Sequence, residues 1–256
     1  MDIPPLLAGR IQQSGQSACL TFWDRLNPVS QAHLLNQLQG LNWDQLDVLR
    51  GLVTQAIATD EELPRDLADA STPACLQLGN PLNTPSPPQA MARGSLALVE
   101  GTVGAILVAG GQGTRLGCAG PKGLYAIGPV SQASLFEVLL GKLLGVRRRF
   151  GKDVPLAIMT SSATDADTRE YLRSHAYCGL DPSHVFVFCQ QSLPALDATT
   201  GCLLLDAPDH VAMAPDGHGG VLGALSQSGG LDWFAQRGTE QIVSFQVDNP
   251  LAMPLD

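Results

Sequence analysis

The sequence predicts an α/β protein, with a doubly wound, mostly parallel sheet that follows a small helical N-terminal region. Two observations favour this fold class. From about residue 100 onward, short apolar runs alternate with stretches of helical periodicity, as strands and crossover helices do around a parallel sheet. The first sixty residues instead carry apolar residues at helical spacing only. We therefore expect a helical region at 1–70, a proline-rich connector at 71–98 and an α/β domain at 99–256.

The N-terminal region is expected to contain two packed helices. In the first, leucines recur at helical spacing: Leu34, Leu35, Leu38 and Leu41. The second is predicted to begin at Asn42, with Gln45 three residues later as in a capping box. Its apolar face is formed by Leu46, Leu49, Val53 and Ile57. Packing alone explains these faces, so no binding role is assigned to them.

The connector is predicted from its prolines, which are Pro73, Pro81, Pro85, Pro87 and Pro88. Proline lacks a backbone donor and interrupts both helices and central strands. Several Ser, Thr and Asn residues lie between the prolines. We therefore expect extended chain here.

The α/β domain is predicted element by element. Residues 105–109 form a continuous apolar run, as in a buried parallel strand. A helix should begin at Ser134, because Glu137 completes a capping box, and Gly151 can end it. The later elements are a strand at 154–159, a helix through 169–175, a strand at 185–188, a loop or hairpin at 197–210, a glycine loop at 217–220 that opens a short helix, a helix at 231–236 and a strand at 242–247.

Composition excludes several classes of protein. Asp and Glu number 24 against 15 Lys and Arg, a net charge of −9, so nucleic acid and anionic membranes are not expected partners. The arginines at 147–149 are better explained by the end of a helix, where cations complement the dipole. No apolar run approaches 18 residues, and the N-terminus lacks the apolar region of a signal peptide. The six scattered cysteines favour reduced thiols and a cytoplasmic location.

The sequence also stops a few residues after the last predicted strand. A domain more often ends on a capping helix or a polar tail. We therefore expect the α/β domain to be incomplete at its C-terminus.

A glycine-rich loop after the first predicted strand is the main candidate for a ligand site. Gly110, Gly111 and Gly113 remove side chains, so backbone N–H groups can approach a phosphate and positive φ is allowed. Arg115 and Lys122 add positive charge. Ligands of open α/β sheets bind beyond the carboxyl ends of the strands, where this loop should lie.

Three other interpretations of the loop are weaker. A dinucleotide fingerprint needs a third glycine where Leu116 stands, and no acidic residue follows the next strand, so an oxidoreductase is disfavoured. A Walker A loop needs a Gly-Lys pair that this loop lacks. A plain surface loop remains the third alternative.

The loop Gly-Gly-Gln-Gly-Thr-Arg-Leu-Gly at 110–117, followed by Pro121-Lys122, resembles the signature of sugar-nucleotide pyrophosphorylases. Further blocks resemble the eukaryotic-type UDP-N-acetylglucosamine pyrophosphorylases in the same order: 159–161, 180–182, 188–190, 193–194, 213–220 and 247–249. The resemblance implies a fold of the nucleotide-diphospho-sugar transferase type and a nucleotide-binding catalytic domain at 99–256. It also implies a uridylyltransferase, in which a sugar 1-phosphate attacks the α-phosphate of UTP in line and releases pyrophosphate.

The resemblance further implies a set of site residues. The nucleotide-binding residues are Gly110, Gly111, Gly113, Thr114, Gln190 and Gly217. The catalytic residues facing the phosphates are Arg115 and Lys122, the sugar-binding residues are His218, Gly219 and Asn249, and the ligand of Mg²⁺ is Asp248. Gln190 would read the uracil edge, with Gln191 as a rival. Ordinary polar roles at a strand end, in a solvated loop and at a turn remain alternatives for Gln190, His218 and Asp248.

His218 departs from the family pattern. The N-acetylglucosamine enzymes generally carry Asn at this position, whereas glucose-type uridylyltransferases often carry His. N-acetylglucosamine 1-phosphate is therefore the first expected substrate beside UTP, and glucose 1-phosphate the next. A truncated, catalytically inactive UTP- or UDP-sugar-binding fragment or paralogue is the alternative.

Overall fold

The structure, a computed structural model, describes residues 2–58, 71–73, 75, 84–118 and 120–255, and the side chains of all but 54–58 and 115 among them. The α-helices in these ranges are α1 (Pro5–Gln13), α2 (Pro28–Gly40), α3 (Trp43–Ala58), α4 (Pro87–Glu100), α5 (Leu135–Phe150), α6 (Asp165–Ser174), α7 (Val221–Gln227) and α8 (Gly230–Ala235). The strands are β1 (Val103–Val108), β2 (Leu156–Thr160), β3 (Val185–Cys189), β4 (Ser192–Pro194), β5 (Leu205–Ala207), β6 (His210–Val211), β7 (Met213–Pro215) and β8 (Gln241–Gln246).

The main sheet confirms the predicted fold class. Its strand order is β3-β2-β1-β8, and each neighbouring pair is parallel. Val108 at the end of β1 is in register with Met159 of β2 and Gln246 of β8. The carboxyl ends of the strands therefore meet at one edge, where loops that follow different strands can converge.

Helices pack on both faces of this sheet. On one face, α5 buries an apolar stripe made of Leu135, Phe136, Leu139, Leu140 and Leu143. The predicted capping box starts this helix, since the Ser134 N–H donates to Glu137 Oε2 at 2.7 Å and the Glu137 N–H donates to Ser134 Oγ at 3.1 Å. On the other face, α7 and α8 bury Val221, Ala224, Leu225 and Phe234. The predicted start of α3 is also confirmed, because Asn42 Oδ1 accepts from the Gln45 N–H. The Ile57 side chain lies outside the described residues.

Helix α4 contradicts the extended chain expected up to residue 98. Pro87 and Pro88 occupy the first turn of this helix, where a missing N–H costs nothing. The Ser86 N–H donates to the Gln89 side chain, and Gly101 ends the helix with φ 76°. The prediction failed because prolines that exclude a helix interior are well suited to a helix start. Residues 74 and 76–83 of the predicted connector lie outside the described residues.

The chain divides into two compact units: Met1–Ala74 with Ser192–Ala214, and Cys75–Gln191 with Pro215–Asp256. Residues 192–214 thus group with the N-terminal helices, although the sequence pattern predicted that they belong to the α/β domain. Leu203 and Val211 join the apolar core of the N-terminal helices, and two glutamine side chains bond to the same segment. Gln37 donates to Val211 O and accepts from its N–H, both at 2.8 Å. Gln16, fully buried, accepts from the Leu203 N–H at 2.7 Å and donates to Gly201 O at 3.0 Å.

Residues 197–210, predicted as a loop or hairpin, contain β5 and the first residue of β6, and these two strands pair antiparallel.

Among the described residues, none of the helices combines the length and the apolar character that a membrane span requires.

Candidate functional site

A cavity of about 290 Å³ lies at the carboxyl ends of the strands in the second unit. Seven of the residues that were assigned a site role line it: Gly110, Gly111, Lys122, Gln190, Gly217, His218 and Asp248. They come from the loops after β1, β3 and β8 and from the turn before α7. Gly113, Thr114, Gly219 and Asn249 do not line this cavity.

Two glycines of the loop, Gly110 and Gly113, are packed closely against neighbouring side chains. A Cβ at Gly110 would lie 3.0 Å from Gln190 Nε2, and a Cβ at Gly113 would lie 2.8 Å from Cys118 Cβ. The Gly113 N–H donates to Gly120 O at 2.8 Å, which folds the loop back on itself. Of the loop's glycines, only Gly117 has a positive φ, 72°. Close approach, rather than the expected positive φ, therefore accounts for Gly110 and Gly113, whereas a Cβ at Gly111 would make an ordinary contact, 3.5 Å from the Lys122 side chain.

Positive charge enters the cavity through Lys122. The Lys122 N–H donates to Gly111 O at 3.0 Å, which ties the backbone of the lysine to the glycine loop. Its Nζ lies 3.2 Å from Asp248 Oδ2, and both side chains are partly exposed. Lys122, which was expected to face the phosphates, and Asp248, which was expected to bind Mg²⁺, therefore form an ion pair. Arg115 lies in the short 3₁₀ helix Thr114–Leu116, and its side chain is outside the described part of the chain.

Gln190, rather than its neighbour, is the glutamine of the cavity. Its backbone N–H donates to Thr160 O at 2.8 Å, which continues the pairing of β3 with β2 past the end of the strand. Its amide lies against Gly110. Gln191 does not line the cavity, and its Nε2 donates to Gln227 instead.

The turn before α7 contributes the other wall. Gly217 has φ 63°, a left-handed conformation that favours glycine, and it begins the 3₁₀ helix Gly217–Gly220. His218 is exposed at the cavity. Asn249, in the turn after β8, uses its Oδ1 to accept from the Leu251 N–H at 3.2 Å, so this oxygen is engaged in the turn.

Two further residues near the cavity, Ser161 and Asp216, were not predicted from the sequence. Ser161 Oγ donates at 2.8 Å to the carbonyl oxygen of Gly110, a residue that lines the cavity. Asp216 precedes Gly217, its Oδ1 is buried without a hydrogen-bond partner, and burial raises the pKa of its carboxyl group. Both residues stood within blocks that carried the resemblance, but no pattern in the sequence separates them from their neighbours.

A second carboxylate near the strand ends has a structural role. Asp165 Oδ1 accepts from Thr160 Oγ1 at 2.6 Å, and Arg169 Nε donates to Asp165 Oδ2 at 2.7 Å. Burial acts to raise the pKa of Asp165, but the hydrogen bonds from Arg169 and Thr160, with the charge of Arg169, lower it overall. Arg169 also donates to Val187 O, so the network holds β3 beside β2.

Comparison with known proteins gives a family match over most of the second unit. Residues 92–256 match the family described as UTP–glucose-1-phosphate uridylyltransferase. The chain is 31% identical over 261 residues to UDP-N-acetylglucosamine diphosphorylase 2 of Arabidopsis thaliana, with 98% of this chain and 51% of that protein covered. It is 31% identical over 257 residues to UDP-N-acetylglucosamine pyrophosphorylase of Saccharomyces cerevisiae, with 95% of this chain and 53% of that protein covered.

The fold has a counterpart among solved structures. The uridine diphosphate N-acetylglucosamine pyrophosphorylase from Trypanosoma brucei superposes with a TM-score of 0.72 at 23% identity, over 98% of this chain and 52% of that one. The chain spans about half the length of the curated relatives it matches.

Proposed function

Because the chain belongs to the UTP–glucose-1-phosphate uridylyltransferase family, we propose that it provides the nucleotide-binding half of an enzyme that joins UTP to a sugar 1-phosphate. One observation carries the proposal: a glycine loop, Lys122, Gln190 and Asp248 converge on one cavity at the carboxyl ends of a parallel sheet. This is where open α/β sheets bind their ligands. A phosphate, a base and a metal ion each have a matching group there.

The proposed reaction needs positioning and charge neutralisation rather than a general base. The phosphate oxygen of the sugar 1-phosphate is already anionic near neutral pH, and it attacks the α-phosphorus of UTP in line. Gly110 and Gly111 expose backbone to the nucleotide, and Arg115 and Lys122 neutralise its phosphates. Gln190 reads the uracil edge, because one amide both donates and accepts. Gly217, which lines the cavity, adds a further nucleotide contact, and Gly113 and Thr114, which do not line it, support the loop that carries Gly110 and Gly111.

The donor chemistry of the site fits Mg²⁺. Magnesium is usually held by one or two carboxylates together with substrate phosphates, and Asp248 offers a partly exposed carboxylate at the cavity. When bound, the ion neutralises charge that develops on the phosphate oxygens. Lys122 forms an ion pair with Asp248, and if that carboxylate held the ion, the Lys122 ammonium group would pair with the phosphates instead.

We assign the sugar contacts to His218, which is exposed at the cavity, and to Gly219 and Asn249, which directly follow the cavity-lining His218 and Asp248. N-acetylglucosamine 1-phosphate is the first substrate we propose, since both relatives described above carry N-acetylglucosamine in their names. Glucose 1-phosphate is the second, because of His218. All six cysteines are free thiols, which fits a cytoplasmic location.

A second function, nucleotide binding without turnover, is favoured by the half-length coverage of the relatives. One assay separates the two. The chain is incubated with UTP, Mg²⁺ and either sugar 1-phosphate, and released pyrophosphate is measured beside calorimetric UTP binding. Release identifies an active enzyme, and binding without release identifies the binding-only protein. The absence of both contradicts the proposed function.

The role of Lys122 has a matched control. Lys122→Ala should weaken UTP binding by about tenfold, because it removes a cation from the phosphate end of the cavity. Lys152→Ala makes the same change at an exposed lysine that does not line this cavity, and it should leave UTP binding unchanged. If both substitutions weaken UTP binding equally, Lys122 acts only through the net charge of the protein and has no specific role in the cavity.

A further inference from the structure

The end of β2 is tied to the loops that follow both neighbouring strands. Thr160 is the last residue of β2, and its carbonyl oxygen accepts from the Gln190 N–H at 2.8 Å. Ser161 comes next, and its Oγ donates to Gly110 O at 2.8 Å. Both residues are almost fully buried, with exposed fractions of 0% and 5%. One dipeptide therefore holds Gly110 on one side and Gln190 on the other.

The proton of the Ser161 hydroxyl is committed to Gly110. A carbonyl oxygen can only accept, so Ser161 is the donor in that bond. Thr164 Oγ1 lies 2.9 Å from Ser161 Oγ and must then be the donor between the two hydroxyls. The Ser161 N–H donates to Thr164 Oγ1 at 3.0 Å. Thr164 is fully buried, so water does not compete for this arrangement.

The position of Gly110 in turn limits that of the Gln190 amide. A Cβ at Gly110 would lie 3.0 Å from Gln190 Nε2 and 3.3 Å from Oε1, so the amide rests directly against the glycine. Movement of Gly110 toward the cavity would push the amide, and movement away would leave it unsupported. The amide is the group proposed to meet the base.

We propose that Ser161 is a positioning residue for base recognition, which sets the separation of Gly110 and Gln190 through its hydrogen bond to Gly110 O. Ser161 does not line the cavity, so it acts through the glycine rather than by touching the ligand. The inference rests on the proposed function, because it assumes that the cavity takes a uridine nucleotide. Uracil presents an N3–H donor beside carbonyl acceptors, whereas cytosine presents an N3 acceptor beside an amino donor. A misplaced amide should therefore lose selectivity between the two bases.

Ser161→Ala tests the proposal through binding, without requiring turnover. UTP and CTP affinities are measured by calorimetry for the wild-type chain and the variant. UTP affinity should fall about fivefold, the size expected for one hydrogen bond, and the ratio of UTP to CTP affinity should fall with it. Ser161→Cys keeps the volume with a weaker donor, and its ratio should be intermediate. If Ser161→Ala does not fold, the cysteine variant alone must show a reduced ratio.

Ser134→Ala is the matched control. Ser134 is also buried, at 4% exposure, and it also donates or accepts through its hydroxyl, but it caps α5 and does not line the cavity. It should lower the melting temperature without changing the UTP to CTP ratio. An unchanged ratio in both Ser161 variants overturns the positioning role. A wild-type chain that binds neither nucleotide overturns the proposed function first, which is a different result.

Discussion

At the residue scale, the carboxyl group of Asp216, next in sequence to the cavity-lining Gly217, lies in unfavourable surroundings. Its Oδ1 is buried without a partner, and burial raises the pKa of its carboxyl group. Its Oδ2 also fills the space beside Gly220, where a Cβ would lie only 1.7 Å from it. The turn from Asp216 to Gly220 therefore packs around a carboxyl group whose ionised form is poorly stabilised.

Asp216→Asn should raise stability at neutral pH. A carboxyl whose folded pKa is raised stabilises the fold while protonated, below its unfolded pKa, and that contribution is lost as pH rises through the folded pKa. At pH 7 the ionised form is therefore the less favourable one, and its removal should raise the melting temperature slightly, by about 2 °C. The gain should vanish near pH 3. Thermal melts across that range measure it.

Asp181→Asn provides a control of opposite sign. The Ser183 N–H donates to Asp181 and lowers the pKa of its carboxyl group. Such a group stabilises the fold above its unfolded pKa and loses that contribution as pH falls through the folded pKa. Asp181→Asn should therefore bring no gain at pH 7. If Asp181→Asn raises the melting temperature as much as Asp216→Asn does, the change in net charge alone explains both effects.

The sequence predicted the residues whose chemistry is distinctive and missed those whose role depends on a distant partner. Gly110, Lys122 and Gln190 line one cavity as expected, because each follows a strand of the same parallel sheet. Ser161 escaped notice because its partner Gly110 lies 51 residues away. Asp216 precedes a glycine, as many turn residues do, so only its burial distinguishes it.

At the element scale, capping residues were good predictors and prolines were misleading. The starts of α3 and α5 followed from Asn42 and Ser134, because a capping side chain bonds to backbone only three residues away. Such local bonds can be predicted from residue spacing. The grouping of 192–214 with the N-terminal helices cannot be predicted in this way, because Gln37 and Val211, which are bonded to each other, lie 174 residues apart.

Gln37→Ala should loosen β5 and β6 from α2. The substitution leaves both the N–H and the C=O of Val211, a fully buried residue, without their partner. We expect a loss of about 1–3 kcal/mol in the free energy of unfolding of the first unit. Hydrogen exchange at the Val211 amide should also become faster. Gln39→Ala, at an exposed position on the same helix, should cost less than about 0.5 kcal/mol. If the two variants are equally stable, the two hydrogen bonds between Gln37 and Val211 contribute nothing to the stability of the first unit.

At the scale of the whole molecule, the main sheet has one edge strand that is poorly covered. β8 is the last strand in the order β3-β2-β1-β8, and among the described residues only β1 pairs with it. Ile242 and Val243 on this strand are each 38% exposed. Strands of parallel sheets are usually buried on both faces, so this pattern is unusual for the fold class. An unpaired apolar edge is a template for pairing with another chain.

We therefore expect the protein to associate as its concentration rises. Ser244→Lys places a charge in the middle of the exposed edge and should reduce association, because proteins protect edge strands in this way. Ser226→Lys makes the same change at an exposed position of α7 and should not. Light scattering over a concentration series measures the difference. If Ser226→Lys suppresses association as strongly as Ser244→Lys, reduction of the net negative charge explains the effect and the β8 edge does not. Suppression by Ser244→Lys alone assigns the contact to β8, since the two variants carry the same net charge.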